Sequence, residues 1–555
     1  MTPWSNIPVG EHLFLFSPML ALTATMLAVV TCPLIVGRSP RAIAITAALG
    51  IVATFLLSLR VADAVAAQGV SGLSTQPTAG LLVADNLSAV FQIILIAFLG
   101  AVTYLWWLGS AVTERNAPEF FVLLFGSALG MTLMVSTSNL LMIVIAIEVA
   151  SLPSYAMVGF DKRDRLGAEA SLKYVIFGAV CAAIMLYGAS LLYGLVGSLS
   201  VADVARYVVA QFAVGENRLL TITGLLCFLA GIAFKISAFP FHFWCPDAFE
   251  GAKIEVTTWL SVVSKAAGLI LLTRLVMTFC AAVDDPVAIS LIHPLAWAIG
   301  IMAAVTCTVG NFAAYKQRSV KRLLAYSSIA HAGYMMMACA VFVHPASREH
   351  ASGLSALIVY VVIYLFMNLG AFGVTAMIAW DTGSDRIDAF TGLIRRAPWL
   401  AVPMVICLMS LVGLPPFAGF IGKWWILVAL GNLGSVLGWF LVITAVLNTL
   451  FSLYFYLRIV VQMTLRDDNR AGLRSPLGGI ALVNFCAVAL VALFVLAQPF
   501  QSVADRFSRS FFSTTTILHT DADTAAALQH FGNQQDSDDP AIQGKIVQFR
   551  PPHGP

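Results

Sequence analysis

Charge is scarce in this chain: Asp, Glu, Lys and Arg make up 11% of its 555 residues, against about 25% in soluble domains. With 59% hydrophobic residues and a mean hydropathy of +0.89, this scarcity excludes a soluble globular protein and leaves a polytopic membrane protein. The net charge of +3 says little, because the placement of the charges matters more than their sum. The nine cysteines are scattered through apolar stretches and never form CxxC, which argues against an iron–sulfur or zinc site. No GxGxxG or Walker pattern offers a nucleotide site. No redox cofactor, soluble ligand or nucleic acid is therefore expected on this chain. A basic N-terminal segment is also missing. The first apolar run, Leu13–Val36, is too long for a signal-peptide core and reads as a retained helix.

A spanning helix needs about 20 apolar residues. Fourteen candidates, numbered here as helices 1 to 14, centre near residues 24, 51, 98, 128, 149, 184, 230, 268, 301, 333, 366, 414, 449 and 487. The connections are short and leave no room for a soluble domain. The one extended polar segment follows Pro499, and its composition (GNQQDSDD, QFRPPHGP) suggests weak order. Basic residues crowd the odd-numbered loops: Arg38, Arg41, Arg115, Lys162, Arg163, Arg165, Lys253, Lys316, Arg318, Lys321, Arg322, Arg386, Arg395, Arg396, Arg466, Arg470 and Arg474. The even loops hold only Arg60, Arg206, Arg218 and Arg348. The positive-inside rule then places the odd loops in the cytoplasm and both termini outside.

Within this apolar background a few charges stand deep. Lys235 and Lys265 lie in GIAFKISAFPFHFWCPDAFEGAKIEVTTWLSVVSKAAGLILL, Gly231 to Leu272. A lysine inside a membrane helix costs several kcal/mol unless paired, hydrated or neutral. Pro240 sharpens the demand, since it removes the hydrogen bond the Ile236 carbonyl would accept. A freed carbonyl is tolerated at that depth only against protein or water, so the stretch points to a hydrated, charged cavity. Glu148 sits in the middle of helix 5 and is either a structural carboxylate or a proton-carrying partner for a lysine. Lys423 follows GLPPFAG, Gly413 to Gly419, a second helix break. The two broken helices, 7 and 12, each carry a lysine near the break and run oppositely, which is the pointer to a transport pathway between inverted halves. His331, with Tyr326, Ser327 and Ser328, is either a relay member or a histidine bonded to a neighbouring helix. Lys173, Arg274 and Arg458 read as interfacial, snorkelling cations. Asp247 and Glu250 read as solvated turn residues or partner contacts, and Met335, Met336 and Met337 as packing. One Glu against three Lys leaves two excess positives if all are ionised, which suits a relay in which one charge answers another.

FKISAFPFHFWCPDAFEGA, SVVSKAAG, KRLLAYSSIAHAGY, GLPPFAGFIGKWW and DNLSAVFQIILI together closely resemble the antiporter-like membrane subunits of respiratory complex I, the proton-pumping NADH–quinone oxidoreductase. The likeness covers about residues 80 to 465, and the FEG turn with fourteen helices favours the subunit N branch. It implies an all-α fold of about 14 transmembrane helices with two inverted five-helix repeats, each containing a broken helix. The implied division is residues 1–115 (helices 1–3), 116–283 (helices 4–8), 284–470 (helices 9–13), 471–498 (helix 14) and 499–555 (polar tail). Glu148 takes the place of the family's helix-5 glutamate, Lys235 that of its helix-7 lysine, Lys265 the central helix-8 lysine and Lys423 the helix-12 lysine. With His331 they form the expected proton relay. The resemblance also implies NADH, FMN, iron–sulfur clusters and quinone in other subunits, membrane-arm subunits on either side, and residence in the cell's inner (plasma) membrane. One departure stands out. The family reads EGAPTPV after helix 7, and here the chain reads EGAKIEV, Glu250 to Val256.

Three functions compete: a subunit of the redox-driven proton pump, a subunit of a multisubunit cation/proton antiporter, and a structural scaffold. The FEG turn favours the first, and the deep ionisable groups speak against the third.

Overall fold

The structure, a computed structural model, describes residues 11–67, 81–110, 116–214, 217–281, 286–343, 350–467, 472–473 and 475–509. Arg115, Arg348, Arg470, Arg474 and the tail from residue 510 lie outside the described residues.

Among the described residues, thirteen helices are long and apolar enough to span a bilayer. Two shorter apolar helices, Pro398–Val412 and Ala418–Gly431, occupy the place expected for helix 12. Helices 1 to 6 run Ser17–Val36, Pro40–Ala67, Asn86–Ser110, Ala117–Val135, Leu140–Val158 and Arg165–Val196. Helix 7 is Arg218–Ile236 followed by Trp244–Gly251, and helix 8 is Ile254–Trp259, a π turn over Leu260–Ser264, then Lys265–Ala281. Helices 9 to 11 are Pro286–Ala314, Val320–Val343 and His350–Thr382; helices 13 and 14 are Val436–Thr464 and Leu477–Val495. A further helix over 497–509 carries ordered chain past Pro499, where the polar tail was expected to begin.

Local signals fix the helix ends. The Asn139 side chain accepts from the Leu141 and Met142 amides to start helix 5, and Asp164 does the same for helix 6 through Leu166. Helix 6 stops at Gly197, which adopts the left-handed conformation that glycine reaches without strain. The apolar stretch of helix 8 is buried on every side, and helix 10 nearly so, whereas helices 1, 2, 13 and 14 turn most of their surface outward. The middle of the molecule is thus where a buried charge is farthest from both lipid and water.

The two halves reuse one connection. Before helix 5, Ser138 accepts from Val201, and Leu199 accepts from Leu140, so the start of helix 5 is stitched to the chain after helix 6. Before helix 10, Arg318 accepts from Ile387, and Asp385 accepts from Val320, so the start of helix 10 is stitched to the chain after helix 11. The same stitch recurs five helices later, as an inverted repeat requires.

Candidate functional site

Helix 7 stops at Ile236, three residues before the Phe239–Pro240 bond. Ser237 turns left-handed (φ 64°) and returns its amide to Ala233 and Phe234. The Phe234 carbonyl also receives the Trp244 indole N–H at 3.0 Å, and the Phe239 amide finds Thr306 Oγ1 on helix 9 at 3.0 Å. The break is thus stabilised by protein groups, and it leaves Lys235 in the last turn of the first segment, fully buried. The Lys235 ammonium donates to Ser151 Oγ on helix 5 at 3.2 Å. Glu148 lies one turn back along helix 5, close enough for each charge to feel the other, but Ser151 stands in direct contact where a carboxylate was expected.

Lys265 begins the α-helix that follows the π turn and is also fully buried. Its ammonium donates to Cys245 Sγ at 3.4 Å and faces the rings of Phe249 (4.8 Å) and Trp244 (5.7 Å). Trp244 stacks in turn on Tyr174 at 4.1 Å between centroids. Ring faces attract a desolvated cation without adding an anion. Among the described residues no carboxylate forms an ion pair with Lys235, Lys265 or Lys423.

The second half is built differently. Gly413 (φ 88°) ends the first segment of helix 12, and the chain doubles so closely that a Cβ on Gly419 would stand 1.8 Å from the Ser410 carbonyl oxygen. That closeness turns the Lys423 ammonium onto the freed carbonyls of Leu411 (3.2 Å) and Val412 (2.8 Å), the negative end of the first segment. The Tyr334 ring covers it at 4.4 Å. Beside it, His331 Nδ1 bonds the Tyr360 hydroxyl at 2.7 Å, and Nε2 lies 3.4 Å from the Tyr456 hydroxyl, which bonds Ser327. His331 is therefore bonded to Tyr360 and Tyr456 of helices 11 and 13, and through Tyr456 to Ser327, where Tyr326, Ser327 and Ser328 were the expected companions. Tyr364 links the halves: its ring lies 5.3 Å from His331, and its hydroxyl donates to the Ser261 carbonyl in the π turn at 3.3 Å. Half-buried Glu148 and the buried Ser151, Lys235, Cys245, Lys265, Tyr364, His331 and Lys423 thus follow one another in a polar line across the molecule.

Sequence reasoning missed Cys245 and the helix-11 tyrosines because their partners lie on other helices and are chosen by packing, not by spacing along one helix. It also misplaced several charges. Arg274 does not snorkel: it forms a two-pronged bond with Asp85, at 2.6 and 2.9 Å, and donates to the Val135 carbonyl. Arg458 donates to the Tyr315 carbonyl at 2.8 Å and to that of Gln317. Lys173, in contrast, remains a partly exposed cation near the start of helix 6, as expected, and pairs with Glu169 (2.7 Å) and Asp247 (3.2 Å). Asp247 and Glu250 lie in the second segment of helix 7, not in a solvated turn, and both hold Arg322 of helix 10, at 2.8 and 2.5 Å. Gly251 closes that segment against helix 6, where a Cβ would meet Ala170 Cβ at 2.7 Å. Met335, Met336 and Met337 are fully buried, as packing requires.

A broken helix in each half, with a lysine at the break, and a central lysine between them define an ion-translocating membrane subunit of the antiporter-like class. The family described as NADH:quinone oxidoreductase/Mrp antiporter, TM, matches residues 137–449, and the chain belongs to it. Among curated relatives, the NADH-quinone oxidoreductase subunit N 2 of Sorangium cellulosum is 40% identical over 421 residues, covering 74% of this chain and 81% of its own. Subunit N of Rubrobacter xylanophilus is 36% identical over 496 residues, 88% of this chain and 97% of its own. Among solved structures, a chain of respiratory complex I from Thermus thermophilus superposes with a TM-score of 0.69 at 30% identity, covering 87% of this chain and 98% of its own. A chain of the Mrp complex from a Dietzia species has a TM-score of 0.76 at 18% identity, covering 90% and 99%, and shares the fold alone. The particular relatives that match along most of their length are therefore subunits N of NADH–quinone oxidoreductase.

Proposed function

We propose that the buried line carries protons, with Glu148, Lys235, Lys265, His331 and Lys423 as its charge-holding members, and that the work done on it comes from NADH oxidation and quinone reduction in other subunits. The observation that carries this reading is the environment of Lys265. It lies between the two broken helices and is held by a thiol and two ring faces, not by a fixed anion. A lysine without a salt bridge is free to change its charge when a neighbour's charge changes. Lys235 is near enough to influence it, and Glu148 near enough to influence Lys235. Hydroxyls and the His331–tyrosine cluster span the distance to Lys423. The Ser264 and Tyr174 hydroxyls are buried without a protein partner, as expected for positions served by water. Cofactor chemistry belongs to the other subunits; this chain's groups hold and pass protons.

The basic odd loops place the Asp247–Arg322 face in the cytoplasm and both termini outside. The flanking partners are membrane-arm subunits on either side, in the cell's inner membrane. The Mrp likeness keeps a cation/proton antiporter as a second reading, separable by whether the chain copurifies with redox subunits.

The test is substitution at Lys265 in the assembled complex, reading quinone-dependent NADH oxidation and proton uptake in membranes. Arginine keeps the charge but is effectively always protonated. Lys265→Arg and Lys265→Ala are both expected to slow pumping on the order of tenfold or more. Mild Lys265→Arg with severe Lys265→Ala would mean a fixed positive charge is all that matters, and near-normal Lys265→Ala would remove it from the path.

A further inference from the structure

The geometry points to Glu255 as the proton-collecting group of an uptake port that feeds Lys265 from the basic-loop face. The inference rests on the proton-carrying reading above and deepens it, since it names the residue through which the line meets water.

Three observations converge on it. An open cleft of about 340 Å³ lies between the ends of helices 3 and 11 and the starts of helices 8 and 10, and its walls include Lys253, Glu255, Lys321 and Asp385. Glu255 lies within its walls and is only 3% exposed, one residue inside the start of helix 8. The cleft falls at EGAKIEV, Glu250 to Val256, the polar stretch that leads into the helix carrying Lys265. Glu255 therefore stands at the cleft end of the helix that carries the central lysine.

A route runs inward from it. Lys265 follows Glu255 by ten residues, which is about 15 Å along a helix. Thr258, Ser261 and Ser264 fall between them and are fully buried. Thr258 and Ser261 donate to backbone carbonyls one turn back, at 2.7 and 2.8 Å, which leaves their oxygens able to accept. Ser264 Oγ is buried with no hydrogen-bond partner, directly beside Lys265. The π turn over Leu260–Ser264 adds a residue to the turn and loosens the ladder where the hydroxyls come closest to the lysine. Water bridges between hydroxyls about one turn apart complete a chain of exchangeable protons.

The charges around the acid suit collection. Lys321 approaches the same corner and donates to the Glu250 and Ala252 carbonyls at 2.7 and 3.0 Å. The charged groups facing the cleft or its corner are Lys253, Lys321, Asp385, Glu250 and Asp164, cations and carboxylates together. In each cycle the Glu255 carboxylate takes a proton from the cleft and releases it inward along the hydroxyls to the Lys265 amine, ending unprotonated again.

The experiment compares Glu255→Gln, Glu255→Asp and Ser384→Trp in the assembled complex in sealed membrane vesicles. The readouts are proton uptake, its pH profile, and rescue by a small weak acid such as formate. Glu255→Gln is expected to slow uptake on the order of tenfold, to lose the acid limb of the pH profile and to recover with formate. Glu255→Asp is expected to keep most of the rate. Ser384→Trp fills the cleft from its far wall, away from helix 8, and is expected to slow uptake even if Glu255→Gln fails to assemble. Wild-type uptake and pH profile in an assembled Glu255→Gln complex, or wild-type uptake with the cleft filled, overturns the port. If Lys265→Ala is impaired while Glu255→Gln is not, only the port falls; if Lys265→Ala is also normal, the relay itself falls.

Discussion

At the scale of the residue, the deep charges are held by neutral partners, not by opposite charges. Lys235 rests on Ser151, Lys265 on Cys245 and ring faces, and Lys423 on two backbone carbonyls. A direct salt bridge would fix each charge in place; a hydroxyl, a thiol or a carbonyl stabilises an ammonium while letting it be lost. Glu148 and Lys235 are the exception by electrostatics if not by contact. Removing one charge leaves the other without its counterpart, Lys235 fully buried and Glu148 half-buried. Glu148→Gln and Lys235→Met are therefore expected to be non-additive, with a coupling of about 0.5–3 kcal/mol in a double-substitution cycle. The measurement is pumping in vesicles for both single variants and the double. Strictly additive losses would show that Ser151 alone keeps Lys235 in place.

At the scale of the element, ion pairs tie helix ends together where apolar packing cannot choose a register. Asp85 precedes helix 3, accepts from the Ser88 amide at 2.8 Å and grips Arg274 near the end of helix 8. Burial raises the Asp85 carboxyl, but Arg274 and the Ser88 amide outweigh burial and hold it below the ordinary carboxylate range. Its stabilising contribution is full above the unfolded value of about 3.9 and is lost as pH falls through the lower folded value. Arg274→Ala leaves a buried carboxylate unpaired and is expected to cost about 3–5 kcal/mol. Thermal unfolding of the detergent-solubilised complex would check this: a clear loss of stability for Arg274→Ala at neutral pH, shrinking in acid. Equal stability of the variant and parent at neutral pH would show that the pair is dispensable. On the other face, Glu169, Lys173, Asp247, Arg322 and Glu250 join helices 6, 7 and 10 by the same logic.

At the scale of the whole molecule, the two halves meet where Tyr364 reaches from His331 to the π turn of helix 8. The inverted repeat gives each half a broken helix, and the seam between them gives the buried line its continuity. The loop charges carry the expectation for orientation. With basic residues gathered in the odd loops, a reporter joined after Arg509 is expected to behave as exported. Cytoplasmic activity of that reporter would reverse the orientation of the molecule and put the Glu255 cleft on the outer face.

The sequence by itself determined that the chain lives in a bilayer, how many times its apolar stretches recur, where helices 7 and 12 break, and which lysines lie too deep to be accidental. Those properties are local: hydropathy, helix-breaking residues and the cost of a buried charge act within a few turns of one chain. The tertiary structure alone decided the partners. Nothing in the spacing of Lys265 announces Cys245, and nothing around His331 announces Tyr360 or Tyr456, because each bond crosses between two helices, and which faces of two helices meet is set by their packing even when they follow one another in the chain. The same reason explains the misread arginines. Near a helix end, a lone basic residue in sequence looks like one that snorkels to water, and only the tertiary fold, in which the final segment of helix 8 packs on helix 4 and meets the turn before helix 3, brings Asp85 to Arg274. Burial sets how much a charge needs a partner, and helix packing decides which partner it finds.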